Sequence, residues 1–131
     1  MLIIRAVGVM SMDTVSFMDV KETEKDLIIS FALDIGDGYI KTLLLHRTLF
    51  YEFIMPEDEQ GTKVSLEGSD ITEVHINTLE SVTFDENVMK IKARFSSHEI
   101  NLRKLELEEI TQMKESLVHH NFDDRFEIKF T

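Results

Sequence analysis

The stretch from Asp26 to Met55 constrains this chain most. It reads DLIISFALDI, then GDG, then YIKTLLLHRTLFYEFIM. Leu27, Ile29, Phe31, Leu33 and Ile35 alternate with Ile28, Ser30, Ala32 and Asp34. A period of two places the first set on one face of a strand. The second set is partly apolar, which points to a central strand covered on much of both faces. Gly36, Asp37 and Gly38 accept the positive φ that a tight reversal requires. The return run places Tyr39, Lys41, Leu43 and Leu45 on one face. Its pattern breaks at His46-Arg47-Thr48 and resumes with Leu49, Tyr51, Phe53 and Met55 in phase. These residues predict a central hairpin whose second arm continues as a further strand or bends at a bulge. A helix over Leu43–Ile54 is the rival, because a short apolar run fits both periods. Pro56 ends the element either way, having no N–H to donate.

Around this hairpin the pattern predicts short strands. They fall at Leu2–Val9, Val15–Val20, Lys63–Leu66, Thr72–Ile76, Ser81–Phe84, Val88–Phe95, His98–Leu102 and Arg125–Phe130, with turns at Ser11–Asp13, Lys21–Lys25 and Asp85–Asn87. On Val88–Phe95, Met89, Ile91, Ala93 and Phe95 point inward and Lys90, Lys92 and Arg94 outward. One helix is predicted over about Leu105–His120, from Leu107, Ile110, Met113 and Leu117 at helical spacing. Acids load its first turn and histidines its last, as the macrodipole favours, and Asn121 stops it. The expected fold is mainly β (α+β): an antiparallel sandwich or partly open barrel of about eight or nine strands, with one C-terminal helix followed by a final strand.

The chain has 131 residues, enough for a single globular domain over 1–131 with one core. It has no cysteine, which excludes disulfides, thiolate metal sites and cysteine nucleophiles, and fits a cytoplasmic location. Arg5 interrupts the apolar N-terminal run, so it makes a poor signal peptide, and no run reaches a membrane-spanning length. The net charge of −11 disfavours nucleic acid and anionic membranes as partners.

Most of that charge is concentrated. Pro56–Asn87 holds nine acids against one base, Lys63, a local balance of −8. Glu57, Asp58, Glu59, Glu67, Asp70 and Glu73 are the candidate partner-binding residues. Such a surface would neutralise a basic protein, as immunity proteins and nuclease inhibitors do, and would raise on-rate and specificity. The plainer reading is a set of solvated loops that keep the protein soluble.

Other constellations point less far. The stripe Lys90, Lys92, Arg94 fits an outward face paired with neighbouring acids. The five histidines lack a zinc spacing, and adjacent His119 and His120 diverge by about 100° on a helix. Asp34, Asp37, Asp123 and Asp124 sit at predicted turns without calcium-loop spacing. Seven methionines and nine phenylalanines suit adaptable core filler, or a barrel cavity for an apolar ligand. No cofactor and no catalytic residue is indicated. The expected function is therefore a non-catalytic domain that binds a protein through an acidic surface. A small-ligand-binding barrel and a hydrolase built on dispersed carboxylates and histidines are the alternatives, and a homodimer through an edge strand is compatible with all three.

Overall fold

A computed structural model of the chain describes residues 12–69 and 76–130. The predicted strands at Leu2–Val9 and Thr72–Ile76 lie outside them, wholly in the first case and up to Ile76 in the second. Among the described residues the elements are β1 (Asp13–Glu22), β2 (Asp26–Gly36), β3 (Tyr39–Thr48), β4 (Lys63–Leu66), β5 (Leu79–Asp85), β6 (Val88–Ala93), β7 (Ser97–Asn101), the helix α1 (Leu107–His120) and β8 (Glu127–Phe130).

The eight strands form one mixed sheet in the order β4-β3-β2-β1-β7-β6-β5-β8. Two antiparallel meanders, β1 to β4 and β5 to β7, join where β1 runs parallel to β7 through Asp13↔Ile100 and Thr14↔Asn101. The long connection between the meanders permits this, since no tight hairpin links them. β8 lies parallel to β5 for the same reason, with α1 as the crossover between β7 and β8. The sheet is strongly curled. The start of β5 meets β4 through Val64 N–H to Asn77 O (2.8 Å) and Leu79 N–H to Thr62 O (2.8 Å), while β8 pairs with the rest of that edge. The outcome is an open sheet with its two ends drawn together.

The central hairpin forms as predicted. Leu27 to Leu33 of β2 pair with Arg47 to Lys41 of β3 in unbroken antiparallel register. Leu27, Ile29, Phe31 and Leu33 are buried, as are Leu43 and Leu45 opposite. Gly36 (φ 102°), Asp37 (φ 55°) and Gly38 (φ 79°) make the reversal, and Asp34 Oδ1 accepts the Gly36 N–H. Met89, Ile91 and Ala93 of β6 complete the core with Met113 and Leu117 of α1. Glu109 accepts the Glu106 N–H at the helix start.

Several expectations need correction. β1 already includes Asp13 and runs to Glu22, because Lys21 and Glu22 still pair with Ile28 and Leu27. β3 does not continue as a strand over 49–55: these residues form a turn and a short 3-10 segment, Glu52–Ile54. No helix crosses 43–54 either. Leu107 and Phe95 are exposed rather than core-facing, since α1 has only begun at Leu107 and β6 has ended at Ala93.

Candidate interaction surface

The second arm of the hairpin carries a charge into the core. β3 alternates inward at Leu43, Leu45 and then Arg47, whose side chain is 1% exposed. A buried guanidinium must find partners for its donors. Arg47 donates to Glu52 Oε1 (2.6 Å) and Oε2 (2.9 Å), to Asp123 Oδ1 (2.8 Å) and Oδ2 (2.9 Å), and to the His120 carbonyl (2.7 Å). The Phe122 ring lies 4.1 Å from the guanidinium carbon. Glu52 must turn inward to meet Arg47, and it also accepts the Gly61 N–H (2.9 Å). This inward turn is why the 49–55 alternation is not a strand. It leaves Phe50, Tyr51, Phe53 and Ile54 pointing outward.

The network fixes protonation. Burial alone would raise the Glu52 carboxyl, but the Arg47 guanidinium and the Gly61 N–H outweigh it and hold it low. Arg47, then Arg125, hold Asp123 well below the usual carboxylate range. His120, fully buried, shares a 2.8 Å hydrogen bond between Nδ1 and Thr62 Oγ1, while its Nε2 has no partner. Burial pushes it down to about 4, and the Arg47 charge adds to that.

This hub gathers the β1–β2 turn, the 49–62 loop and the end of α1 at one end of the sheet. Arg125 braces the next segment. It donates to the Glu57 carbonyl (3.2 Å) and to Gln60 Oε1 (2.8 Å) while its Nε holds Asp123 Oδ2 (2.6 Å). Pro56 precedes a single 3-10 turn, Glu57–Glu59. Glu57 and Asp58 are exposed on it, and Glu59 is half-buried. Arg94 approaches Asp58 at 4.0 Å. Glu57 and Asp58 share a groove of about 380 Å³ with Glu80 and Arg125.

The four candidate acids among the described residues do not form one cluster. Glu57, Asp58 and Glu59 stand together. Glu67 lies beyond the far end of β4, a strand length of about 13 Å. Its Oε1 accepts the Thr42 N–H (3.0 Å), extending the β3–β4 ladder. Asp70 and Glu73 fall outside the described residues. In the basic stripe, Lys90 pairs with Glu99 of the neighbouring β7 (3.9 Å), whereas Arg94, past the end of β6, approaches Asp58 on the 3-10 turn (4.0 Å) and not a strand residue.

Against the hub, through Phe122, lies an open groove of about 710 Å³ lined by Leu27, Leu49 and Phe122, with Glu22, Glu24 and His119 among its polar residues. Glu22 accepts hydrogen bonds from Ser116 Oγ (2.9 Å) and His119 Nδ1 (2.8 Å), which outweigh its desolvation and hold it low. The Ser116 hydroxyl donates to Glu22 and not to His119, so this trio lacks the nucleophile–base contact of a hydrolytic triad. Among the described residues no group of three or more His, Asp or Glu is placed to hold a metal ion. No helix there is long and apolar enough to cross a membrane. Neither protein-family models nor curated proteins nor solved structures give a match to this chain.

Sequence reasoning missed Arg47, Glu52, Asp123 and His120. The signal was present in Arg47, which continues the buried phase of Leu43 and Leu45. Its acidic partners come from a turn and from 76 residues away, and no local period encodes them.

Proposed function

We propose that this protein is a non-catalytic interaction domain that binds a basic protein partner through the acidic end of its sheet, in an immunity- or inhibitor-like role. The observation that carries this reading is the Glu57–Glu59 turn. Two exposed carboxylates sit on a short segment held at both sides by Arg125 and by the buried Arg47–Glu52 pair. Rigid, prepaid geometry loses little entropy on binding. The net charge of −11 steers a cationic surface toward the protein and repels nucleic acid. The absence of cysteine suits a partner met in a reducing cytoplasm.

The test is an affinity capture from native lysate at low and moderate salt, with wild type beside the Glu57→Gln/Asp58→Gln/Glu59→Gln variant. A stoichiometric partner that elutes as salt rises, and whose affinity drops about tenfold or more in the variant, supports the reading. Unchanged capture by the variant rejects the acidic turn as the binding element.

A further inference from the structure

The hub's inward demand leaves an apolar surface outside. Phe53 is 78% exposed, Ile54 68% and Phe122 64%. Phe50 and Tyr51 are exposed too and stack edge to face at 4.7 Å. They cannot rotate into the core without withdrawing Glu52 from Arg47, because Glu52 lies between Tyr51 and Phe53. The Leu27–Leu49–Phe122 groove adjoins Phe50 through Leu49, whose N–H donates to the Lys25 carbonyl (2.7 Å). An apolar group of this kind, fixed in place and rimmed by charge, marks a contact surface rather than scattered exposure.

The rim is mainly acidic. Glu57 and Asp58 are exposed on the 49–62 loop, which holds no Lys or Arg of its own, although Arg125 and Arg94 approach them from outside it. Across the groove stand Glu22 and Glu24. Lys25 stands beside the groove, over the Phe50 ring at 5.9 Å.

Resting on the proposed reading, we infer that the partner's contact region is amphipathic: apolar side chains seated on Phe53, Ile54 and the Leu27–Leu49–Phe122 groove, with flanking Lys or Arg meeting Glu22, Glu24, Glu57 and Asp58. The apolar centre supplies residence time and the acids supply the approach.

Calorimetry with two synthetic peptides of equal length and charge tests this. One is oligolysine; the other is a Leu/Lys peptide with leucines along one helical face. The Leu/Lys peptide should bind about tenfold or more tightly than oligolysine at physiological salt, and Phe53→Ala/Ile54→Ala should abolish that advantage. The Glu57→Gln/Asp58→Gln/Glu59→Gln variant should weaken both peptides. Both sets replace exposed or half-buried side chains, and matching thermal melts check that each variant folds. Equal affinity of the two peptides, or an advantage untouched by Phe53→Ala/Ile54→Ala, overturns the inference and leaves the acidic reading standing. Affinities unaffected by the Gln variant overturn the acidic reading itself. Binding of neither peptide overturns both. Sedimentation that shows wild-type dimers lost on Phe53→Ala/Ile54→Ala assigns the apolar surface to a second copy of this chain and also overturns the inference.

Discussion

Arg47 is a charged residue in a position whose phase belongs to a leucine. Its burial is tolerable because Glu52 takes three of its hydrogen bonds, Asp123 takes two and the helix-end carbonyl of His120 takes another. A buried pair of this type adds little over an apolar replacement of both partners, but losing one partner strands the other. Arg47→Ala should therefore destabilise the protein by about 3–5 kcal/mol in urea titration. Arg47→Met combined with Glu52→Gln should cost less than Arg47→Ala alone, since no buried carboxylate is left uncompensated. A loss below about 1 kcal/mol for Arg47→Ala would show that the pair does not hold the loop. Phe122 belongs to the same account, because its ring covers the guanidinium.

At the element scale, α1 and β8 depend on the six residues between them. Asn121 caps the helix with its N–H on the Leu117 and Val118 carbonyls. Its side chain also donates to the Phe126 carbonyl (2.8 Å) and accepts the Phe126 N–H (3.0 Å). That reciprocal pair sets Phe126 in the core and aligns β8 along β5. Asn121→Ala should destabilise the fold by about 1–3 kcal/mol. Amide exchange should report where: the β8 amides, Ile128 above all, should lose more protection than those of β2. Uniform loss across both strands would mean that β8 docks independently of the cap. The 49–62 loop is the counterpart at the same end of the sheet. Its anchors are Glu52 and Gly61, and its aromatic residues point outward because those anchors are occupied.

For the whole molecule, the response to acid follows from which groups the fold keeps from their ordinary protonation. His120 titrates near 6.5 in the unfolded chain and at about 4 when folded. Between those values the unfolded state binds more protons, so stability must fall as pH falls from about 6.5 toward 4. The loss amounts to about 3 kcal/mol across that window. Glu22, Glu52 and Asp123 are held low, so their contribution is intact above the ordinary carboxylate range and is lost only as pH falls below about 4. Urea midpoints measured from pH 7 to pH 4 should decline in wild type. In His120→Gln, which keeps a polar group near Thr62 but does not titrate, the decline should be much shallower. Equal slopes in the two proteins would remove His120 from the acid response.

The residue pattern by itself determined the parts of this protein that depend on neighbours along the chain. Alternation of Leu27 to Leu33 specified β2, Gly36-Asp37-Gly38 specified its reversal, Met89 to Ala93 specified β6, and the Ile110–Met113–Leu117 spacing specified α1. Each of these is set by a period of two or 3.6 and by turn chemistry, all of which act within a few residues. The charge of Pro56–Asn87 was equally legible, as was the absence of thiol chemistry. Tertiary structure alone decided the parallel junctions of β1 with β7 and β5 with β8, because long connections leave strand order open. It alone decided that Arg47 is buried, because a guanidinium is admitted to a core only when carboxylates remote in sequence converge on it. That one placement turned Glu52 inward and left Phe53 and Ile54 exposed. The outward face of the 49–55 loop was thus fixed by contacts among residues 47, 52 and 123, which no local pattern records.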